Sequence, residues 1–492
     1  MGFRSGLLAA LLAGGCAVGP DYQRPAPVAA AATPAAFSDG SPGGVQWKRA
    51  EPAAGEARGE WWRMFGDDEL NRLEPQALRQ NQDLAAAAAR FAQARDLAVG
   101  ARAGFYPTLT AGGTPNGDLS RARTSVNAPQ AGHRAGSTYT YSEFTAPLYL
   151  GWELDLWGRV RRVSQGARAR YAAAADDLES ARLAVTAEVA ADYFTWRALD
   201  AEHRLIADTV ETYRRSLQLT VDRRRGGAVS DLDVAQAGTQ LHTAEAQLPA
   251  IELARTQVRN ALALLCGRAP GDFTLAGGGE FPAVPEVPSI VPAALLEHRP
   301  DIAGMERRMA AANADVGVAR AAFYPTVKLD GLAGFQSVGF DSWFNWPSRF
   351  WSVGPSVTVP LFTGGLNRAK LAAARDTYDE TVAEYRQTVL NAFVEVENGL
   401  AAQRLLGEQW RAENAALTTS RQALAIADHR YRAGLVTYLD VATAQTDALA
   451  HERTVLQLSG QRLAATVNLV KALGGGWEPA EVPRAELGRL GK

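Results

Sequence analysis

Leu148-Tyr149-Leu150-Gly151-Trp152-Glu153-Leu154-Asp155-Leu156 alternates without a break. Leu148, Leu150, Trp152, Leu154 and Leu156 fall on one face of an extended chain, and Tyr149, Glu153 and Asp155 on the other. The alternation returns further on, with Trp351, Val353, Val357, Val359 and Leu361 against Ser352, Ser356 and Thr358. A shorter strand precedes each: about 107–113 in the first case, and Val327, Leu329, Ala333 and Phe335 on one face in the second. The expectation is therefore four strands per chain, with 112–136 and 336–349 as the loops between them. Four strands cannot close a membrane barrel, which needs at least about eight. Oligomerisation would remove the open edges, and a trimer would supply about twelve strands.

The second signal is self-similarity. Ala101-Arg102-Ala103-Gly104-Phe105-Tyr106-Pro107-Thr108 returns as Ala319-Arg320-Ala321-Ala322-Phe323-Tyr324-Pro325-Thr326. Leu154-Asp155-Leu156-Trp157-Gly158 has a looser echo in Val359-Pro360-Leu361-Phe362 followed by Gly364-Gly365. Gly227-Ala228-Val229-Ser230-Asp231-Leu232-Asp233-Val234-Ala235 returns as Gly434-Leu435-Val436-Thr437-Tyr438-Leu439-Asp440-Val441-Ala442. Three matches in one order read as two copies of a unit: helix, strand, strand, long helix, returning helix. The helices are expected at about 83–104, 160–225 and 231–265, then 301–322, 367–432 and 438–473. The long ones would measure about 95–100 Å, and the returning ones roughly 53 Å. A pre-strand helix of roughly 33 Å stacked end to end on a returning helix would nearly match one long helix. Alanine-rich stretches such as 85–89 and 172–175 favour helix and also allow close helix approach in a one-layer tube.

Composition narrows the class. The 492 residues are 47% hydrophobic and 21% charged, with net charge −2. Such a chain folds, and carries no basic field for nucleic acid. Mean hydropathy is −0.16, and no apolar run of about 20 residues follows the N-terminus, which argues against helical spans but not against alternating strands. Cys16 and Cys266 are the only cysteines, too few for a disulfide scaffold. The histidines fall at no metal-ligand spacing, and no nucleophile elbow, zincin or P-loop motif occurs. Asp67-Asp68 and Asp176-Asp177 are adjacent and do not face each other on a helix. Cys266 reads as a buried small hydrophobe. An enzyme is not expected.

Residues 1–15 read as a signal peptide, with Arg4, a short apolar core and Gly14-Gly15 before Cys16. Small residues before a cysteine are similar to a bacterial lipobox, with Leu12 one place early. Cys16 reads either as the lipidated mature N-terminus or as a buried cysteine after an ordinary signal. Ala17 replaces the Asp that retains lipoproteins at the inner membrane, so the resemblance implies the outer membrane. Residues 16–60 form the tether, rich in Ala, Pro and Gly. The first unit is 61–275, with strands at 105–157 and a hairpin at 160–266; 276–299 is a linker. The second is 300–475, with strands at 323–362 and a hairpin at 367–473; 476–492 is a tail.

Cys16-Ala17-Val18-Gly19-Pro20-Asp21-Tyr22, the repeated Ala-Arg-Ala-x-Phe-Tyr-Pro, Leu-Asp-Leu-Trp-Gly, and Leu295-Leu296-Glu297-His298-Arg299-Pro300-Asp301-Ile302 resemble TolC-like outer-membrane efflux factors of the NodT/OprM-type lipoprotein branch. The resemblance implies a mainly α chain with a small β part, a long antiparallel α-helical barrel and a homotrimeric 12-stranded transmembrane β-barrel. It implies an exit duct of a tripartite efflux system that passes small molecules such as drugs. Its partners would be a periplasmic adaptor, a proton-driven inner-membrane pump and outer-membrane lipid. The only non-protein group expected is a covalent lipid (palmitate) on Cys16. The family also implies a gate at the helix tips, here Tyr438, Leu439, Asp440 and Thr443. Adaptor contacts would fall on Gly227, Ala228, Val229 and Ser230, and on Gly434, Leu435, Val436 and Thr437. The same turns read as caps: Arg223, Arg224, Arg225, Arg430 and Arg432 before glycine, then Ser230 and Thr437 as N-caps with Asp233 and Asp440 three residues on. Trp152, Trp157, Trp343, Trp346 and Trp351 read as a bilayer-edge aromatic belt or as core of a β-layer. The rival readings are the outer-membrane component of type I protein secretion and a non-pore periplasmic coiled-coil protein.

Overall fold

The computed structural model describes residues 17–25, 59–114, 118–123, 138–279, 281–285 and 299–475. Cys16, the signal segment, most of the tether, part of the linker and the tail lie outside them. Helices α1 (Asp68–Gln80), α2 (Gln82–Ala103), α3 (Arg159–Arg225), α4 (Asp231–Leu265), α5 (Pro300–Ala321), α6 (Leu366–Arg432) and α7 (Tyr438–Ala472) accompany strands β1 (Thr108–Ala111), β2 (Asp118–Arg123), β3 (Thr138–Leu154), β4 (Thr326–Ser337) and β5 (Arg349–Thr358). Helices α3 and α6 each have 67 residues, α4 and α7 each 35, and α2 and α5 each 22. The chain divides into two compact units.

One unit comprises Met1–Pro25, Ala92–Ala173 and Glu306–Glu384. Its antiparallel sheet runs β1-β3-β4-β5, and β2 pairs with the far end of β3. Strand β2 lies where the sequence indicated only a loop. Its polar Asp-Leu-Ser-Arg-Ala-Arg run carries no apolar alternation, so pairing along the 17-residue β3 supplies the signal that the segment itself lacks. Gly112 N donates to Pro147 O at 2.9 Å and Thr114 N to Thr145 O at 3.0 Å, carrying the ladder past β1.

The register sorts the faces. Leu109 lies opposite Leu150, Trp152 opposite Leu329, Val327 opposite Val357, and Ala333 opposite both Leu148 and Trp351. Alternation puts these on one apolar side. Thr110 opposite Tyr149, Glu153 opposite Lys328 and Lys328 opposite Ser356 make the other side polar. The tryptophans separate into groups. Trp346 and Trp351 are exposed. Trp343 is buried against Phe144, Phe340 and Phe344. Trp152 and Trp157 donate Nε1–H to the carbonyls of Phe105 and Pro325 at 3.0 and 2.7 Å. The belt reading therefore fails for Trp343, whose ring fills a loop core, and the indoles of Trp152 and Trp157 tie the strand ends.

Residues 17–25 dock on the same unit. Val18 N donates to Trp157 O at 3.0 Å. Asn313 Nδ2 donates to Pro20 O at 3.0 Å, Arg162 pairs with Asp21 at 2.9 Å, and Arg24 with Glu306 at 3.1 Å. At Gly19, where φ is +109°, a Cβ would sit 2.6 Å from Gly317 Cα. The Val-Gly-Pro-Asp run is thus shaped by close backbone approach and by two arginine contacts.

The other unit comprises Ala26–Phe91, Ala174–Met305 and Tyr385–Lys492. A 3₁₀ turn at Trp61–Phe65 and helix α1 bury Trp61, Trp62, Phe65, Leu70, Leu73 and Ala77 against Val189, Tyr193, Phe194, Leu262, Cys266 and Leu463. Two junctions join short helices end to end. Asn81 caps α2 by accepting from Leu84 N at 2.9 Å, and its Nδ2 donates to Leu265 O, the last residue of α4, at 3.0 Å. Arg299, just before α5, donates from Nη1 to Ala472 O, the last residue of α7, at 2.9 Å. It also holds Asp301 and Glu395 at 2.6 Å each.

Candidate functional site

The tips where α3 turns into α4 and α6 into α7 are built the same way. Gly227 and Gly434 have φ of 76° and 74°. Ala228 N bonds Arg223 O and Gly227 N bonds Arg224 O, at 2.9 and 3.0 Å; Leu435 N bonds Arg430 O and Gly434 N bonds Tyr431 O at the same distances. Both are Schellman closures, in which a left-handed glycine lets the chain double back onto the last carbonyls. The next helix then starts on a reciprocal cap. Asp233 Oδ2 accepts from Ser230 N at 2.8 Å, and Asp440 Oδ2 from Thr437 N at 3.1 Å and Thr437 Oγ1 at 2.8 Å. Hydrogen bonds from Ser230 hold the Asp233 carboxyl below its ordinary range. The Arg224 guanidinium, 2.7 Å away, does the same for Asp231.

The two tips also touch each other. Arg223 donates to Tyr431 O at 3.2 Å and Arg432 O at 2.9 Å, with its guanidinium 4.9 Å from the Tyr431 ring centroid. A cation on the carbonyl end of a second helix satisfies orphan acceptors and the helix dipole together. Gln240 Nε2 reaches Ala442 O at 3.2 Å and Thr446 Oγ1 at 3.0 Å. Between them Ala237, Tyr431, Tyr438, Val441 and Ala442 form a small core. Burial pushes the Tyr438 hydroxyl up to about 12.

Against this frame the expected gate residues divide. Tyr438 is 1% exposed, its ring 5.6 Å from that of Tyr431. Leu439 is 55% exposed. Asp440 faces its cap, and exposed Thr443 donates to Leu439 O at 2.9 Å. Of the expected adaptor residues, Gly227, Ala228, Ser230, Gly434, Leu435 and Thr437 are exposed, while Val229 and Val436 are half-buried. Cys16 lies outside the described residues. Among those residues no helix is long and apolar enough to cross a membrane, and no His, Cys, Asp and Glu group could hold a metal ion.

The sequence that builds these tips and this sheet matches the family model "Outer membrane efflux protein" over residues 73–268 and 291–475. The chain belongs to the outer membrane efflux protein family. It is 35% identical over 477 residues to the solvent efflux pump outer membrane protein SrpC of Pseudomonas putida, covering 96% of this chain and 98% of that one. It is 34% identical over 483 residues to the outer membrane protein OprJ of Pseudomonas aeruginosa, covering 96% of each. Among solved structures, the outer-membrane channel OprN superposes with a TM-score of 0.81 at 31% identity, covering 94% of this chain and 100% of that chain. This outer membrane efflux protein is therefore a channel of efflux pumps, and the non-pore coiled-coil reading is set aside.

Sequence reading missed the contacts through which several residues organise the protein. Arg223 and Gln240 join the tips, but nothing local marks a partner two hundred residues away. Asp67, dismissed as half of an adjacent pair, N-caps α1 and accepts from Tyr193 Oη and Arg197 Nη1, both at 2.7 Å. Its signal was the cap position before the Asp-Glu-Leu start of α1.

Proposed function

We propose that three copies of this efflux protein form an exit duct through the outer membrane. Its sheets would join into a 12-stranded barrel, and its hairpins would form a tube in the periplasm. The chain itself would be two copies of one unit. A periplasmic adaptor would dock on the turns at Gly227–Ser230 and Gly434–Thr437, coupled to a proton-driven inner-membrane pump. Small molecules are the cargo, in keeping with the solvent efflux pump to which the relative SrpC belongs. The observation that carries this reading is the sheet: polar on one face, apolar on the other, and open at both edges. Lipidation of Cys16 fits the same frame, because Val18 is bonded to the carbonyl of Trp157, next to the strand–helix junction.

The gate would be a ring of tips in which Leu439, Asp440 and Thr443 narrow the axis. Tyr438 would act from behind, packing the tip rather than lining it. Alanine at Leu439 and Asp440 together should raise single-channel conductance in planar bilayers several-fold. Conductance equal to the unmodified protein would remove the gate from these residues.

A further inference from the structure

The sheet contains one strand joint between its halves and leaves the two halves of a second such joint open at its edges. In the first hairpin Thr108 lies opposite Gly151, and in the second Thr326 lies opposite Thr358. Thr108 and Thr326 both follow Phe-Tyr-Pro, and Gly151 and Thr358 stand at the same sequence distance before α3 and α6. This correspondence pairs Gly158 with Gly365, each with positive φ at a helix start. It places Leu154 with Leu361, two residues along from the match that the letters alone indicate.

Between the halves, β3 meets β4 with Leu154 opposite Val327, Glu153 opposite Lys328 and Trp152 opposite Leu329. Counterparts of the first members are Leu361, Pro360 and Val359, just after β5. Counterparts of the second members are Leu109, Thr110 and Ala111, on β1. Strands β5 and β1 are the two edges of the sheet. Leu361 is 93% exposed and Leu109 66%, whereas Leu154 and Val327 are half-buried in the joint already made.

The geometry points to a second copy of this chain as the occupant of that edge. Strand β5, extended to Leu361, pairs antiparallel with β1 of the next copy. Leu361 lies opposite Leu109, Pro360 opposite Thr110 and Val359 opposite Ala111. The inference rests on the proposed assembly and adds the register of its seam. Two checks support it. Gly112 and Thr114 spend their N–H groups on β3, so the intervening alternation turns the backbone groups of Leu109 and Ala111 to the open edge. Leu361, Val359, Leu109 and Ala111 all fall on the apolar side, so the seam keeps that face continuous; a one-residue slip would set leucine against threonine. Pro360 needs no donor here. Its counterpart Glu153 alternates with Thr145 and Pro147, whose carbonyls face β1 rather than β4. The joint is head-to-tail, so rotation closes it into a ring.

A Thr110→Cys/Pro360→Cys double variant tests the register in purified full-length protein. A non-hydrogen-bonded antiparallel pair has Cα atoms about 4.5 Å apart, within disulfide reach. Oxidation should give multimers that survive boiling in denaturing gels, at least tenfold more than from Thr110→Cys/Thr358→Cys. More cross-linking from the second pair would overturn the register. So would no cross-linking by either pair in protein whose native mass is that of an assembly. Monomeric mass of the unmodified protein in detergent would instead overturn the assembly, and the seam with it.

Discussion

Glu74 is a carboxyl held out of water with nothing among the described residues to pair it. It is wholly buried on α1 beside Cys266, and neither carboxylate oxygen has a hydrogen-bond partner. Burial pushes its carboxyl well above the ordinary range, and Cys266 up to about 11. Between the unfolded value near 4.5 and the raised folded value, the folded state holds a proton that the unfolded chain has lost. Stability then falls as pH rises through that window, by about 1.4 kcal/mol per pH unit for one such group. Glu74→Gln should flatten the fall of the melting temperature as pH rises above the unfolded value near 4.5. An unchanged slope in circular-dichroism melts would show that Glu74 ionises freely. Sequence could not reveal this residue, since its burial is set by α3 and α4 packing over α1. Arg299 was visible inside its Arg-Pro-Asp motif, but its role was not. Only the fold brings Glu395 and the end of α7 to it.

At the scale of elements, local chemistry was enough for the long helices. Their expected ends at Arg225, Asp231, Leu265, Arg432 and Tyr438 are the observed ones, because glycine, cap and charge signals coincide there. Helix α1 escaped because Pro75 sits inside it, and a proline argues against helix unless burial outweighs it. Here Leu70, Leu73 and Ala77 are fully buried. The tips allow a test within one element. Gly226 and Gly227 are neighbours, but only Gly227 has positive φ, and Ala433 already stands at the place corresponding to Gly226. Gly227→Ala should cost about 1–2 kcal/mol, and Gly226→Ala only a few tenths. Hydrogen exchange at the ends of α3 and α4 would read the difference. Equal protection in the two variants would mean that the closure does not depend on the left-handed residue.

For the whole molecule, the mildly negative mean hydropathy conceals the apolar face of the sheet, because polar and apolar strand faces average out. That surface was legible in the alternation of β3, but the pairing that makes it one continuous face was not. Val353 and Ser352 are consecutive on β5 and point to opposite sides; they lie opposite Gly331 and Leu332. If the apolar side meets lipid, arginine at 353 should cost about 2–4 kcal/mol near the bilayer midplane. Arginine at 352 would face the water-filled side and should be tolerated. The expected outcome is loss of heat-modifiable oligomer from outer-membrane fractions for Val353→Arg. Ser352→Arg should retain near-normal amounts and show altered ion conductance. Equal loss in both would mean that the sheet is packed on two sides. Normal assembly of Val353→Arg would mean that the lipid-facing surface lies elsewhere. The pair separates sidedness from general strand damage, since both substitutions put the same charge at consecutive positions of one strand on opposite faces.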